Sequence, residues 1–150
     1  MANAAAVADR FRVLSGSRLT PLQLIKLTYI AHGWSYPMLN RGLIGDRIEA
    51  WQYGPVVPTL YHAIKDYRAS PVSEPLWRGE PLTADEDALV QRVYDAYGSY
   101  SGGQLSTMTH QDGTPWDIAW RRGRNSQITN DMIEDHYRRI HAERSSERTH

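Results

Sequence analysis

Ser106, His110 and Asp112 bring a hydroxyl, an imidazole and a carboxylate together within seven residues. On a helix, positions four apart share a face, so Ser106 and His110 are neighbours there. A hydrolytic triad is defined by geometry rather than by order along the chain. No GxSxG elbow accompanies the pair, and the absence of cysteine closes the thiolate route. The expected role of His110 is therefore to cap its helix or to bond to the Asp112-Gly113 turn. The six histidines (His32, His62, His110, His136, His141 and His150) form no HExxH pattern. His136 and His141 are five apart and do not stack on one helical face. Asp131, Asp135 and His136 are ligand types, but acidic residues near a helix start are already accounted for by the macrodipole. Neither a metal nor a cofactor is expected.

Two further sets bear on anions. Ser101-Gly102-Gly103 ahead of a helix could present backbone N–H groups to a phosphate. It lacks the P-loop lysine and any surrounding βαβ unit, and it reads as a helix-start turn. Arg121, Arg122 and Arg124, with Arg138 and Arg139 beyond, lie near Trp116, Trp120 and Tyr137, a mixture able to grip phosphates and stack bases. Against nucleic acid stand a formal net charge of +0 and the lack of helix-turn-helix spacing. The arginines fit a protein-docking patch or a solvated loop better, and nucleic-acid binding is kept only as an alternative.

The elements that must position these groups are organised around Ile48 to Lys65. Ile48, Glu49, Ala50 and Trp51 partly alternate and read as a short strand. Tyr53-Gly54-Pro55 breaks it, with Gly54 free to adopt positive φ and Pro55 fixing its own. Pro58 then opens a helix from the position where proline is best tolerated, with Leu60, Tyr61, Ile64 and Lys65 following. A stiff turn between Trp51, Tyr53 and Tyr61 either locks a core or displays an aromatic surface. The candidate partner-binding residues are Trp51, Tyr53, Gly54, Pro55, Val57 and Tyr61, together with Arg121, Arg122 and Arg124.

Helix signals occupy most of the remaining chain. Asn3 caps a first helix to about Leu14, with Val7, Phe11 and Leu14 on one face. Thr20-Pro21-Leu22-Gln23 is a capping box with proline at the first position. The helix it opens is apolar around most of its circumference, which predicts a central buried helix to about Tyr36, ended or kinked by Pro37. The segment from Arg68 to Pro81 is the longest loop. Thr83 with Glu86 opens another helix; Leu105 to His110 is a short one; Thr114-Pro115 starts a segment carrying Trp116, Ile118, Ala119 and Trp120, with Arg121, Arg122 and Arg124 in the loop after it. Thr129 or Asn130 caps a last helix whose apolar face is Met132, Ile133, Tyr137 and Ile140. The polar tail from Ala142 to His150 is expected to fray. Ser126-Gln127-Ile128 is the expected strand partner of Ile48 to Trp51. The predicted fold class is mainly α: one compact helical domain over 1–150, about six helices with a minor short β ribbon.

Composition agrees. At 150 residues with 41% hydrophobic and 23% charged side chains, the chain suits one globular domain. There is no run of about 18 apolar residues for a membrane span and no secretory leader pattern. With no cysteine, a reducing, cytoplasmic setting and no membrane partner are expected. Lys26 and Lys65 are the only lysines, and 9 Tyr and 5 Trp stand against one Phe. Tyr, Trp and Arg are the side chains that dominate protein interfaces.

Three segments together resemble a known family. Leu24-Ile25-Lys26-Leu27-Thr28-Tyr29-Ile30-Ala31-His32-Gly33-Trp34 is similar to its KLLYLAQGW helix. Glu49 to Pro58, with Tyr61 and Lys65, is similar to its EAWxYGPVxPxxYxxxK core. Leu105-Ser106, Thr109-His110, Gly113 and Pro115-Trp116 are similar to its LSxxTHxxGxPW element. This is the Panacea antitoxin domain, SocA-like or GepA-like and phage-associated. The resemblance spans about Leu19 to Ile140, with Thr28 and His32 standing where the family often has Leu and Gln. It implies no enzyme, but an antitoxin that neutralises a cognate protein toxin by direct contact. The alternative it carries is a proteolytic adaptor that delivers its toxin to a Clp-type protease.

Overall fold

Thr20 decides where the central helix begins. Its hydroxyl accepts the Gln23 N–H while Gln23 Oε1 receives the Thr20 N–H at 2.9 Å, so two helix-end donors are satisfied reciprocally. In the computed structural model, which describes residues 1–148, this helix, α2, runs Pro21–Leu39 and every residue from Leu24 to Tyr36 is buried. Pro37 withholds one N–H without stopping the helix. It continues one turn further than expected and closes on Asn40, a left-handed residue at φ 59 whose N–H bonds to the Tyr36 carbonyl.

The chain order is α1 (Ala4–Leu14), α2, β1 (Glu49–Trp51), β2 (Gly54–Val56), α3 (Pro58–Ile64), a 3-10 turn (Lys65–Tyr67), α4 (Ala84–Tyr97), α5 (Gly102–Thr109), α6 (Pro115–Arg122) and α7 (Asn130–Arg148). The described residues are thus mainly helical, with seven α-helices where about six are expected. Helices α1, α4, α5 and α7 all pack on α2, because only a helix apolar on every side needs neighbours on every side. The starts of α1, α2, α3, α4 and α6 fall where their caps and prolines predict. Ser101, read as a turn residue, is a full N-cap: its hydroxyl accepts the Gln104 N–H and Gln104 returns the bond, so α5 starts at Gly102. Helix α7 packs on α2 and brings Tyr137 against Gly33, where an added Cβ would run into the Tyr137 ring. The polar segment after Ala142 does not fray as expected. It is helical to Arg148, and the Arg144 guanidinium lies 5.0 Å over the Trp34 ring. Of the predicted tail, Thr149 and His150 lie outside the described residues.

The ribbon differs from expectation in an instructive way. β1 pairs antiparallel with β2 in the register Glu49↔Val56, Ala50↔Pro55 and Trp51↔Gly54, so the break at Tyr53-Gly54-Pro55 is a hairpin. Ser126 to Ile128 does lie along β1, on the opposite edge. Ala50 donates to the Ser126 carbonyl at 2.8 Å and Ile128 to the Ile48 carbonyl at 2.8 Å. Pro55 is tolerated in β2 because that strand is an edge and its N–H is not needed there.

Candidate protein-docking site

The hairpin is fastened from beneath by three side chains from three helices. Lys26 Nζ on α2 donates to the Pro55 carbonyl at 2.7 Å. The Ser106 hydroxyl on α5 donates to the Tyr53 carbonyl. The Trp116 indole N–H on α6 donates to the Trp51 carbonyl at 2.6 Å. Each bond pairs a hairpin carbonyl inside the protein, and the loop has little freedom left to lose on binding. Gly54 permits the close approach: it sits at φ +122, and a Cβ there would lie 2.9 Å from Lys26 Nζ.

What this frame holds outward is aromatic. Tyr53, at the hairpin apex, is 69% exposed. Trp51 is half-buried against Tyr61 of α3, edge to face at 4.9 Å between ring centres, and Tyr61 meets His62 in the same manner at 5.3 Å. The Trp51 indole N–H donates to Glu49 Oε1 at 2.9 Å and holds that carboxyl below its usual range, with Arg47 adding to the effect. On α6, Trp116 and Trp120 stack with centres 5.5 Å apart, and His110 abuts Trp116 at 5.3 Å. Ile118, on the outer side of the same helix, is 42% exposed.

Arg121 and Arg122 form the last turn of α6 rather than a loop, where positive charge complements the carbonyl end of the helix. Arg121 Nε binds Asp117 Oδ1 at 3.0 Å. The Gly113 N–H, 2.9 Å from Asp117 Oδ2, and then Arg121 hold the Asp117 carboxyl below the ordinary range. Arg124 lies in the following loop and reaches Gln52 at 3.4 Å, which joins the arginine patch to the hairpin. Arg122 and Arg124 are exposed.

Of the residues singled out from sequence, Trp51 packs on Tyr61, Tyr53 is exposed at the hairpin apex, Arg124 reaches the hairpin at Gln52, and Arg121 and Arg122 close α6. Gly54, Pro55 and Val57 are buried, so they shape the site from within and touch nothing outside it. The frame residues Lys26 and Ser106 did not stand out as members of this site. A lysine inside the most apolar helix was the one available signal for the first.

The hydrolytic arrangement does not form. The Ser106 hydroxyl is committed to Tyr53, and His110 Nδ1 pairs with the Ser106 backbone carbonyl rather than with its side chain. His32 is a structural group. Its Nδ1 accepts the Leu43 and Ile44 N–H groups at 3.2 Å each, so Nε2 carries the proton and donates to Asn130 Oδ1 at 3.0 Å. Among the described residues no group of three or more His, Asp or Glu is placed to hold a metal ion, and no helix is long and apolar enough to cross a membrane.

Comparison with known proteins agrees with the motifs. The chain is 28% identical over 136 residues to Antitoxin SocA of Caulobacter vibrioides (strain NA1000 / CB15N), covering 80% of this chain and 72% of that protein. No solved structure matches it. The family model described as "Antitoxin SocA-like, Panacea domain" matches residues 24–117, which take in α2 from Leu24 on, the hairpin and the aromatic start of α6. The chain belongs to the SocA-like antitoxin family of Panacea domains.

Proposed function

We propose that this protein neutralises a cognate protein toxin by direct, stoichiometric contact through the face built from Tyr53, Trp51, Tyr61, Arg121, Arg122 and Arg124. The observation that carries the reading is Tyr53. A large amphipathic ring stands 69% exposed on a hairpin whose carbonyls are tied down by Lys26, Ser106 and Trp116. Aromatic anchors on rigid frames supply binding energy at little entropic cost, and Tyr, Trp and Arg dominate interface hot spots. Membership of an antitoxin family supports the role.

The test is co-expression with the product of the adjacent gene, scored by growth rescue and co-purification. A neighbour that is toxic alone, is rescued by this protein and co-purifies with it supports neutralisation. Tyr53→Ala, at an exposed site, leaves the fold intact and weakens the complex by about 2 kcal/mol, roughly 30-fold in Kd. A folded Tyr53→Ala protein with unchanged affinity would remove the proposed interface. Rescue without a stable complex, lost when the Clp-type protease is deleted, would favour delivery for degradation. Duplex DNA binding that falls steeply with salt would favour a nucleic-acid regulator instead.

A further inference from the structure

The far end of α2 carries a second surface. α4 and α7 each pack on α2 but scarcely touch one another, and they leave a trough of about 240 Å³. Its floor is apolar, formed by Trp34, Met38 and Val93, and its rim carries Arg92 on α4 with His141 and Arg144 on α7. Among the described residues, no acidic side chain lines it. Among the described residues, neither Arg92 nor Arg144 forms an ion pair. Arg144 is held over the Trp34 ring at 5.0 Å, with its charge at the mouth of the trough.

We propose that this trough docks an acidic segment of a partner protein, one that seats a bulky apolar side chain on Trp34 and Met38 and sets carboxylates against Arg92 and Arg144. The volume decides between a small molecule and a side chain. Pockets for whole ligands run from about 300 to 1,000 Å³, so this one takes one or two side chains of a longer segment. A trough walled by two helices over an apolar floor is the shape that receives an amphipathic segment. The charge decides the sign: two guanidiniums and an imidazole on the rim, with no carboxylate beside them among the described residues, disfavour a basic partner and steer an acidic one. The trough is separate from the hairpin face. Trp34 is eight residues along α2 from Lys26, about 12 Å of helix axis.

The experiment is a selection of phage-displayed random twelve-residue peptides on the wild-type protein, depleted on the Arg92→Glu/Arg144→Glu double variant. Both positions are exposed, and circular dichroism confirms that the variant is folded. The expected winners carry an aromatic or branched aliphatic residue flanked by at least two acidic ones. As synthetic peptides they shift the Trp34 indole resonance, assigned with Trp34→Phe. They lose at least tenfold in affinity when their acids become amides, and lose as much on the double variant. Tyr53→Ala leaves their binding unchanged, which separates this surface from the proposed toxin face. Winners without acidic enrichment, winners that bind the double variant equally well, or shifts that map to the hairpin would each overturn the proposal. So would a selection that yields no binder.

Discussion

Replacing Lys26 with methionine should make this protein more stable while loosening the hairpin that presents Tyr53. Lys26 is 1% exposed, and among the described residues its Nζ has one partner, the Pro55 carbonyl at 2.7 Å, and no compensating carboxylate. Burial alone pushes the amine down from 10.5 to about 7. That difference corresponds to about 5 kcal/mol against the charged form. Methionine matches the length and removes the charge, but it leaves the Pro55 carbonyl without its donor, at a cost of about 1–3 kcal/mol. At pH 6 the variant should therefore be more stable by roughly 2–4 kcal/mol.

The sign of the pH dependence makes this reasoning vulnerable. The folded amine titrates below the unfolded one, so between pH 7 and 10.5 the unfolded chain binds more protons and wild-type stability rises with pH. By pH 9 the disadvantage of the buried amine has shrunk by about 2.5 kcal/mol, and the two proteins should be close to equal. Urea denaturation of both at pH 6, 7, 8 and 9 reads the gap directly, and taking the difference cancels the titration of every other group. Hydrogen exchange at Glu49 and Val56, the outer pair of the ribbon, should meanwhile be faster in the variant. A gap that stays constant from pH 6 to 9, or a variant less stable at pH 6, would refute the assignment of Lys26 as a buried, uncompensated cation.

Three other changes test the frame. The Thr28 hydroxyl is buried without a hydrogen-bond partner among the described residues, so Thr28→Val should stabilise by about 1–2 kcal/mol in urea denaturation. Gly54→Ala forces a Cβ onto φ +122 and against Lys26 Nζ; it should lower stability by about 1–3 kcal/mol and broaden the hairpin resonances. His32 is kept neutral, its burial lowering the pKa against the opposing pull of the Asn130 bond and the Asp46 charge. Its contribution is thus complete above the unfolded value, near 6.5, and is lost as the pH falls below that toward the folded value. Over that window, wild-type stability should fall more steeply than that of His32→Gln, by up to about 1.4 kcal/mol per pH unit.

The parts of this fold that could be read from sequence are those whose chemistry is local. Asn3, Thr20, Thr83 and Thr114 each satisfy an N–H two or three residues ahead, so their helices announce themselves. The hairpin could not be read in the same way. A proline at position 55 argues against a strand unless one knows that β2 is an edge, and that depends on Ser126 to Ile128, seventy residues on, pairing with the far side of β1 and not with β2. The tail misled for a related reason. Its polarity predicts fraying, whereas the contact between Arg144 and Trp34 links positions 110 residues apart. The same holds for the candidate site. The exposure of Tyr53 depends on bonds from Lys26, Ser106 and Trp116, which are 29, 53 and 65 residues from their acceptors. The motif residues Gly54, Pro55 and Val57 are consequently scaffold and Tyr53 is display. Substitutions within this one short loop should therefore divide cleanly: Gly54→Ala acts on folding, and Tyr53→Ala acts on binding alone.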